Sequence, residues 1–191
     1  MNIYSIGFTG KTAEEFFTLL KENNVKKIID IRLNRDGQLS AFAKYPDLEY
    51  FLKLHDIEYV YYEYLAPSEG LRKRYNDKKS EHKMTFEEYT VDFNQTMQER
   101  NAIMQFAKEE KNLDGSCFLC SEDYPDECHR YLVIEELLRF LLTINFNEVI
   151  NVIHLISYKC FIKKNIKNKQ RKETINGGEC SYISKFTEIW W

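Results

Sequence analysis

Residues 116–142 read Ser116-Cys-Phe-Leu-Cys-Ser-Glu-Asp-Tyr-Pro-Asp-Glu-Cys-His-Arg-Tyr-Leu-Val-Ile-Glu-Glu-Leu-Leu-Arg-Phe-Leu-Leu142. A short apolar run comes first, then an acidic turn holding a proline, then apolar residues at helical spacing. That order describes a buried strand, a loop and a helix. In an α/β protein the loop leaving a strand lies along the edge where ligands bind. This loop carries two thiols, an imidazole, a guanidinium and several carboxylates.

The same alternation extends outward in both directions. Residues 2–6 form a short β-rich run ended by Gly7, and Thr12 with Glu15 makes a capping box ahead of the apolar face Phe16, Phe17, Leu19 and Leu20. Residues 25–31 are a second strand, residues 47–55 a helix with Pro46 in its first turn, and residues 58–62 an aromatic third strand. The stretch 63–83 is charged and shows no period. Residues 85–110 are helical, residues 131–142 form the helix after the fourth strand, and residues 148–155 are a fifth strand. Strands alternating with helices predict a three-layer α/β/α fold around a mainly parallel sheet of about five strands.

Bulk composition fits one domain. At 191 residues and 43% hydrophobic content the chain can bury a sizeable core. No apolar run approaches the ~20 residues of a membrane span, and no signal sequence is evident, so no membrane partner is expected. Five cysteines, odd in number and irregularly spaced, point to a reducing, cytoplasmic setting rather than a disulfide framework. Residues 157–191 hold eight Lys or Arg and three Glu, a net +5, which leaves the rest of the chain at -8 within a total of -3. The expected division is a domain over 1–156 and a basic C-terminal extension over 157–191.

Reading the strand ends gathers the chemistry on one rim. Strand one delivers Gly7 and Thr9, strand two Asp30 and Arg32, strand three Tyr62 and Glu63, strand four Cys120 and Glu122, and strand five His154. Arg32 and Arg130 are suited to hold an anionic group, because a guanidinium offers a planar fork of donors. Asp30 would orient Arg32. A thiol that ends a buried strand reacts only if a positive field favours its thiolate, and His129, Arg130 and the helix N-terminus are the candidates to supply one. Tyr59, Tyr61, Tyr62 and Tyr64 fill sheet faces or stack on bases.

Two familiar motifs fit poorly. Cys117, Cys120, Cys128 and His129 offer four zinc donors, but strand residues three apart face opposite sides, so no metal is expected. A phosphatase loop needs small residues whose amides converge on phosphate. Ser121 to Glu127 is bulky and acidic instead.

These segments together resemble the family called domain of unknown function 488. The residues that carry the likeness are Ser5-Ile-Gly-Phe-Thr9, Asp30-Ile-Arg32, Cys120-Ser-Glu122, Cys128-His-Arg130 and Val152-Ile-His-Leu155. Gln38 to Lys44 is similar to a loop of one branch, and Phe8 stands where many members have histidine. The resemblance implies a compact α/β domain with its motif groups in one cleft, and it implies no reaction.

The leading functional expectation is an enzyme-like cleft for a nucleotide or nucleic-acid phosphate. Cys120 as nucleophile or Glu122 as general base would carry the chemistry, with Cys128, His129 and His154 as auxiliaries and Gly7, Thr9, Asp30, Arg32 and Arg130 lining the substrate. A non-catalytic module binding nucleic acid or protein through residues 72–79 and 157–191 is one alternative. A thiol redox or sensor protein using Cys120 and Cys128 is another.

Overall fold

Six apolar residues, Ile3, Ile6, Ile28, Ile29, Ile31 and Phe118, are wholly buried and form the spine of the sheet. The computed structural model describes residues 1–37, 41–77, 79, 83–144 and 149–156. Its strands are β1 (Asn2–Gly7), β2 (Lys27–Asp30), β3 (Glu58–Tyr61), β4 (Ser116–Cys120) and β5 (Asn151–Leu155). They lie in the order β3-β2-β4-β1-β5 with every pairing parallel.

The helices are α1 (Ala13–Glu22), α2 (Asp47–Leu54), α3 (Glu69–Asn76), α4 (Phe86–Glu99), α5 (Ala102–Glu109) and α6 (His129–Thr143). Phe16 and Leu20 of α1 and Leu48 and Leu52 of α2 pack on one face of the sheet, against Ile6, Ile28, Cys117 and Leu119. Phe93, Phe106, Val133 and Leu137, from α4, α5 and α6, cover the other face, against Ile3, Ile29, Ile31 and Phe118. The three-layer α/β/α architecture with a parallel five-stranded sheet is therefore the observed fold.

This packing sets the site. The chain leaves β1 and β2 toward the α1–α2 layer but leaves β4, which lies between them, toward the α6 layer. Where successive crossovers part to opposite faces, the loops separate and open a crevice at the strand carboxyl ends. The end of β4 is such a point.

Local chemistry explains most element boundaries. Thr12 Oγ1 accepts from the Glu15 amide at 3.1 Å while Glu15 Oε2 accepts from the Thr12 amide at 2.8 Å, so the capping box forms. A second box joins Thr85 and Glu88 ahead of α4. The helix expected over 85–110 is two helices, because Asn101 adopts φ +53° and turns the chain between α4 and α5. Within the aperiodic stretch the structure places α3, capped by Ser68, whose Oγ accepts from the Leu71 amide. Leu71 is the buried residue of that helix, too little for an apolar period to show. Pro46 caps α2 instead of entering its first turn. The helix expected from 131 begins at His129, with Cys128 as its N-cap. Residues 157–191, with their basic charge, lie outside the described residues, as do 38–40 and 145–148.

Candidate functional site

Cys120, the last residue of β4, is the register partner of Gly7, the last residue of β1. The loop after β4 passes so close to Gly7 that a Cβ there would lie 1.6 Å from the Glu122 carbonyl oxygen. The Thr9 amide donates to Ser121 O at 3.0 Å and adds a second tie, while the exposed Thr9 side chain takes no part in it. Lys11 follows a turn in which Gly10 holds φ +79°, and its buried ammonium pairs with Asp123. A Gly7→Ala substitution is expected to cost about 1 to 3 kcal/mol, the range for overpacking a filled core. Urea unfolding checks this, and an unchanged midpoint would show that the loop can step aside.

Arg130 sits beneath that loop with 1% exposure. Its Nη1 donates to Glu122 O and, at 3.4 Å, to Cys128 Sγ; its Nη2 donates to Asp123 O at 2.8 Å, and its Nε to Ser5 Oγ at 3.3 Å. Its hydrogen bonds therefore go to the protein, where they shape the loop around Cys120. Its charge stays in the site.

The Cys120–His129 pair lies beside it. Cys120 Sγ is 3.5 Å from His129 Nδ1 and 3.9 Å from Nε2. His129 Nε2 lies 2.8 Å from the Ile31 carbonyl, which can only accept, so Nε2 carries the proton and Nδ1 faces the sulfur. The donor atoms of Cys120, Cys128 and His129 all lie within 4.8 Å of one another, and all three residues are buried. The Cys128 thiol hydrogen-bonds Cys120 and, with the fields of His129 and Arg130, holds the Cys120 thiol well below its ordinary value against the cost of burial. Burial and the Cys120 charge keep the proton on Cys128. Burial opposes a charge on His129, but Cys120 more than offsets it and raises the imidazole.

An aromatic wall covers this centre. The Phe93 ring lies 5.8 Å from His129, Tyr89 stacks on Phe93 at 5.9 Å, and Tyr75 meets Tyr89 at 4.7 Å. Glu122 is exposed, and its carboxyl is raised by partial desolvation and by the Cys120 charge.

The family described as Domain of unknown function DUF488 matches residues 12–137. The chain belongs to that family. The matched span contains Asp30, Arg32, Cys120, Glu122, Cys128, His129 and Arg130, while Gly7, Thr9 and His154 fall outside it. Neither a curated protein nor a solved structure matches the chain. Among the described residues no helix is long and apolar enough to cross a membrane.

In this DUF488 chain the other expected groups form two flanking clusters. Asp30, wholly buried, takes a two-point grip on Arg32: Nε donates to Oδ1 at 2.8 Å and Nη2 to Oδ2 at 2.6 Å. Arg32 Nη1 donates to Ala43 O at 2.7 Å, and Tyr59 donates its hydroxyl to Asp30 Oδ2 at 2.7 Å. Strand alternation puts Asp30 with Ile28 on the α1–α2 side, whereas Cys120 lies with Phe118 on the α6 side. Asp30 and Cys120 thus share an edge of the sheet but not a face.

His154, on β5, shares the Cys120 face. Its Nδ1 lies 2.6 Å from Ser5 Oγ, which accepts from Arg130. Burial and then the Arg130 charge push this imidazole down to about 4, so it is neutral at physiological pH.

The four-ligand zinc set weighed from sequence does not assemble, because Cys117 packs with Leu119 on the far face. Cys120, Cys128 and His129 form a three-donor group that could hold a soft cation. Sequence reasoning missed Ser5, Lys11, Asp123, Tyr89 and Phe93. The signal for Lys11 and Asp123 was faint: two opposite charges in two loops that the strand order alone brings together. In the charged segment 72–79, which the alternative reading assigns to nucleic acid or a protein partner, Lys73 pairs with Glu69 and Arg74 with Asp92.

Proposed function

We propose that this chain is a thiol-dependent enzyme in which Cys120 is the nucleophile at the carboxyl end of β4. One observation carries the reading: the sulfur lies 3.5 Å from an imidazole nitrogen whose ring is fixed by a backbone carbonyl on its other side. That is the nucleophile, base and orienter arrangement of covalent catalysis. His129 takes the thiol proton and returns it to the leaving group, while Cys120 forms a covalent bond to an electrophilic carbon or phosphorus. Glu122, two residues after Cys120 and exposed, would activate the water that releases the product. An anionic substrate, such as a nucleotide or nucleic-acid phosphate, draws support from the charge of Arg130, whose hydrogen bonds hold the protein rather than a ligand, while the charge of Arg32 is balanced by Asp30.

Alkylation by iodoacetamide, followed by peptide mass mapping between pH 6 and 9, tests the reading. An ordinary thiol with a pKa of about 8.5 gains roughly tenfold in rate per pH unit below that value. Cys120 is expected to give a nearly flat profile, and His129→Gln should restore the slope. Cys117, whose thiol burial raises, serves as an internal control. An ordinary slope at Cys120 would end the proposal. So would stoichiometric zinc that must be chelated before Cys120 reacts.

A further inference from the structure

We propose that Cys128 is a resolving thiol for Cys120, so that the pair reduces hydroperoxides through a Cys120–Cys128 disulfide. This activity rests on the reading of Cys120 as the reactive thiolate, but it requires a second residue that covalent catalysis does not use.

The geometry points to Cys128 in particular. Its sulfur lies within 4.8 Å of Cys120 Sγ, and its thiol is a hydrogen-bond donor to that atom. A disulfide bond is about 2.05 Å long, so the sulfurs need to close by less than about 3 Å. Cys128 is the N-cap of α6 and holds no side-chain capping bond, so its side chain can move without breaking the helix ladder. Arg130 Nη1, 3.4 Å from Cys128 Sγ, stabilises the charge that develops on that sulfur as it attacks. Cys117 is wholly buried on the opposite face of β4 and does not compete.

The chemistry closes. The Cys120 thiolate attacks the terminal oxygen of a hydroperoxide; the O–O bond breaks, and the leaving alkoxide or hydroxide takes a proton through His129. Cys120 is then a sulfenic acid. The Cys128 thiol loses its proton, and its sulfur attacks the Cys120 sulfur. The S–S bond forms, and the hydroxyl group departs with that proton as water. Two electrons have passed from the two thiols to the peroxide, and an external dithiol is oxidised in restoring them.

The test uses the full, reduced chain and one to three equivalents of hydrogen peroxide. Peptides are mapped without reduction, with dimedone added to trap sulfenic acid. The expected product is a link between the Cys120 and Cys128 peptides, two hydrogens lighter, with little dimedone adduct. In Cys128→Ser the link should vanish and a Cys120 dimedone adduct should take its place. Wild-type Cys120 that stays reduced, or that passes to sulfinic acid with no link to Cys128, overturns the proposal without needing any variant. The alkylation profile of the same sample separates the two ideas. A flat profile without the link sinks the peroxide activity alone, and an ordinary profile sinks both.

Discussion

Replacing Arg130 with methionine is expected to destabilise the fold by about 3 to 5 kcal/mol, because buried acceptors lose a charged donor that nothing of similar shape replaces. Four groups lose a partner at once: the Glu122 and Asp123 carbonyls, Ser5 Oγ and Cys128 Sγ. The apolar stem of methionine preserves part of the packing, so the loss reports the bonds rather than a cavity. Arg130→Lys keeps the charge but not the fork, and should recover only a small part of it. Urea unfolding gives the number. A loss below about 1 kcal/mol, the worth of one ordinary hydrogen bond, would mean that Lys11 and Asp123 hold the loop by themselves. The same variant should weaken the flat alkylation profile of Cys120, since Arg130 contributes to the field on that sulfur.

Lowering the pH from about 6.5 to about 4 is expected to remove about 3 kcal/mol of stability through His154 alone. The unfolded chain binds a proton on this imidazole near 6.5, whereas the folded chain, with the ring held down to about 4, does not. Between those values the unfolded state binds more protons, so stability falls as the pH falls. The contribution is intact above about 6.5 and spent by about 4. The cause is burial first and then the nearby Arg130 charge. His154→Gln should flatten this limb, as seen in urea midpoints at pH 7, 5.5 and 4. His129 is shifted the other way, so the comparison of wild type with His154→Gln isolates the effect. Parallel curves for the two proteins would show that His154 takes up its proton in the folded state as freely as in the unfolded one.

Much of the architecture is legible in the amino-acid sequence. The capping residues Thr12 and Thr85 and the β-branched runs of the strands act over three or four residues, and local forces decide them. Precision is lost where local signals are weak or opposed. Helix α3 buries little beyond Leu71, so no period marks it. The break at Asn101 depends on a left-handed residue that a long polar pattern conceals. Helix α6 starts two residues earlier than its apolar pattern suggests, and that difference matters for the site. It places His129 and Arg130 on the first turn, where they reach back to Ile31, just past β2, and to β1 through Ser5.

The candidate site divides in the same way. Cys120, Glu122, Cys128, His129 and Arg130 stand out because five reactive side chains crowd eleven residues. Their roles do not follow from that crowding. Arg130 reads as a ligand for an anion in sequence, yet its donors face carbonyls of its own loop. Asp30 and Arg32 find each other two residues apart, and Tyr59 joins them from the neighbouring strand.

By itself the sequence determined an alternating α/β chain with a thiol-rich loop after its fourth strand, because apolar period and capping are local. Only the tertiary structure decided what surrounds that loop. Inserting β4 between β2 and β1 sets Cys120 beside Gly7, where the absence of a Cβ lets the loop close, and brings Ile31 under His129. Strand order arises from how whole layers bury their faces, a balance over the entire core that no short stretch of residues records.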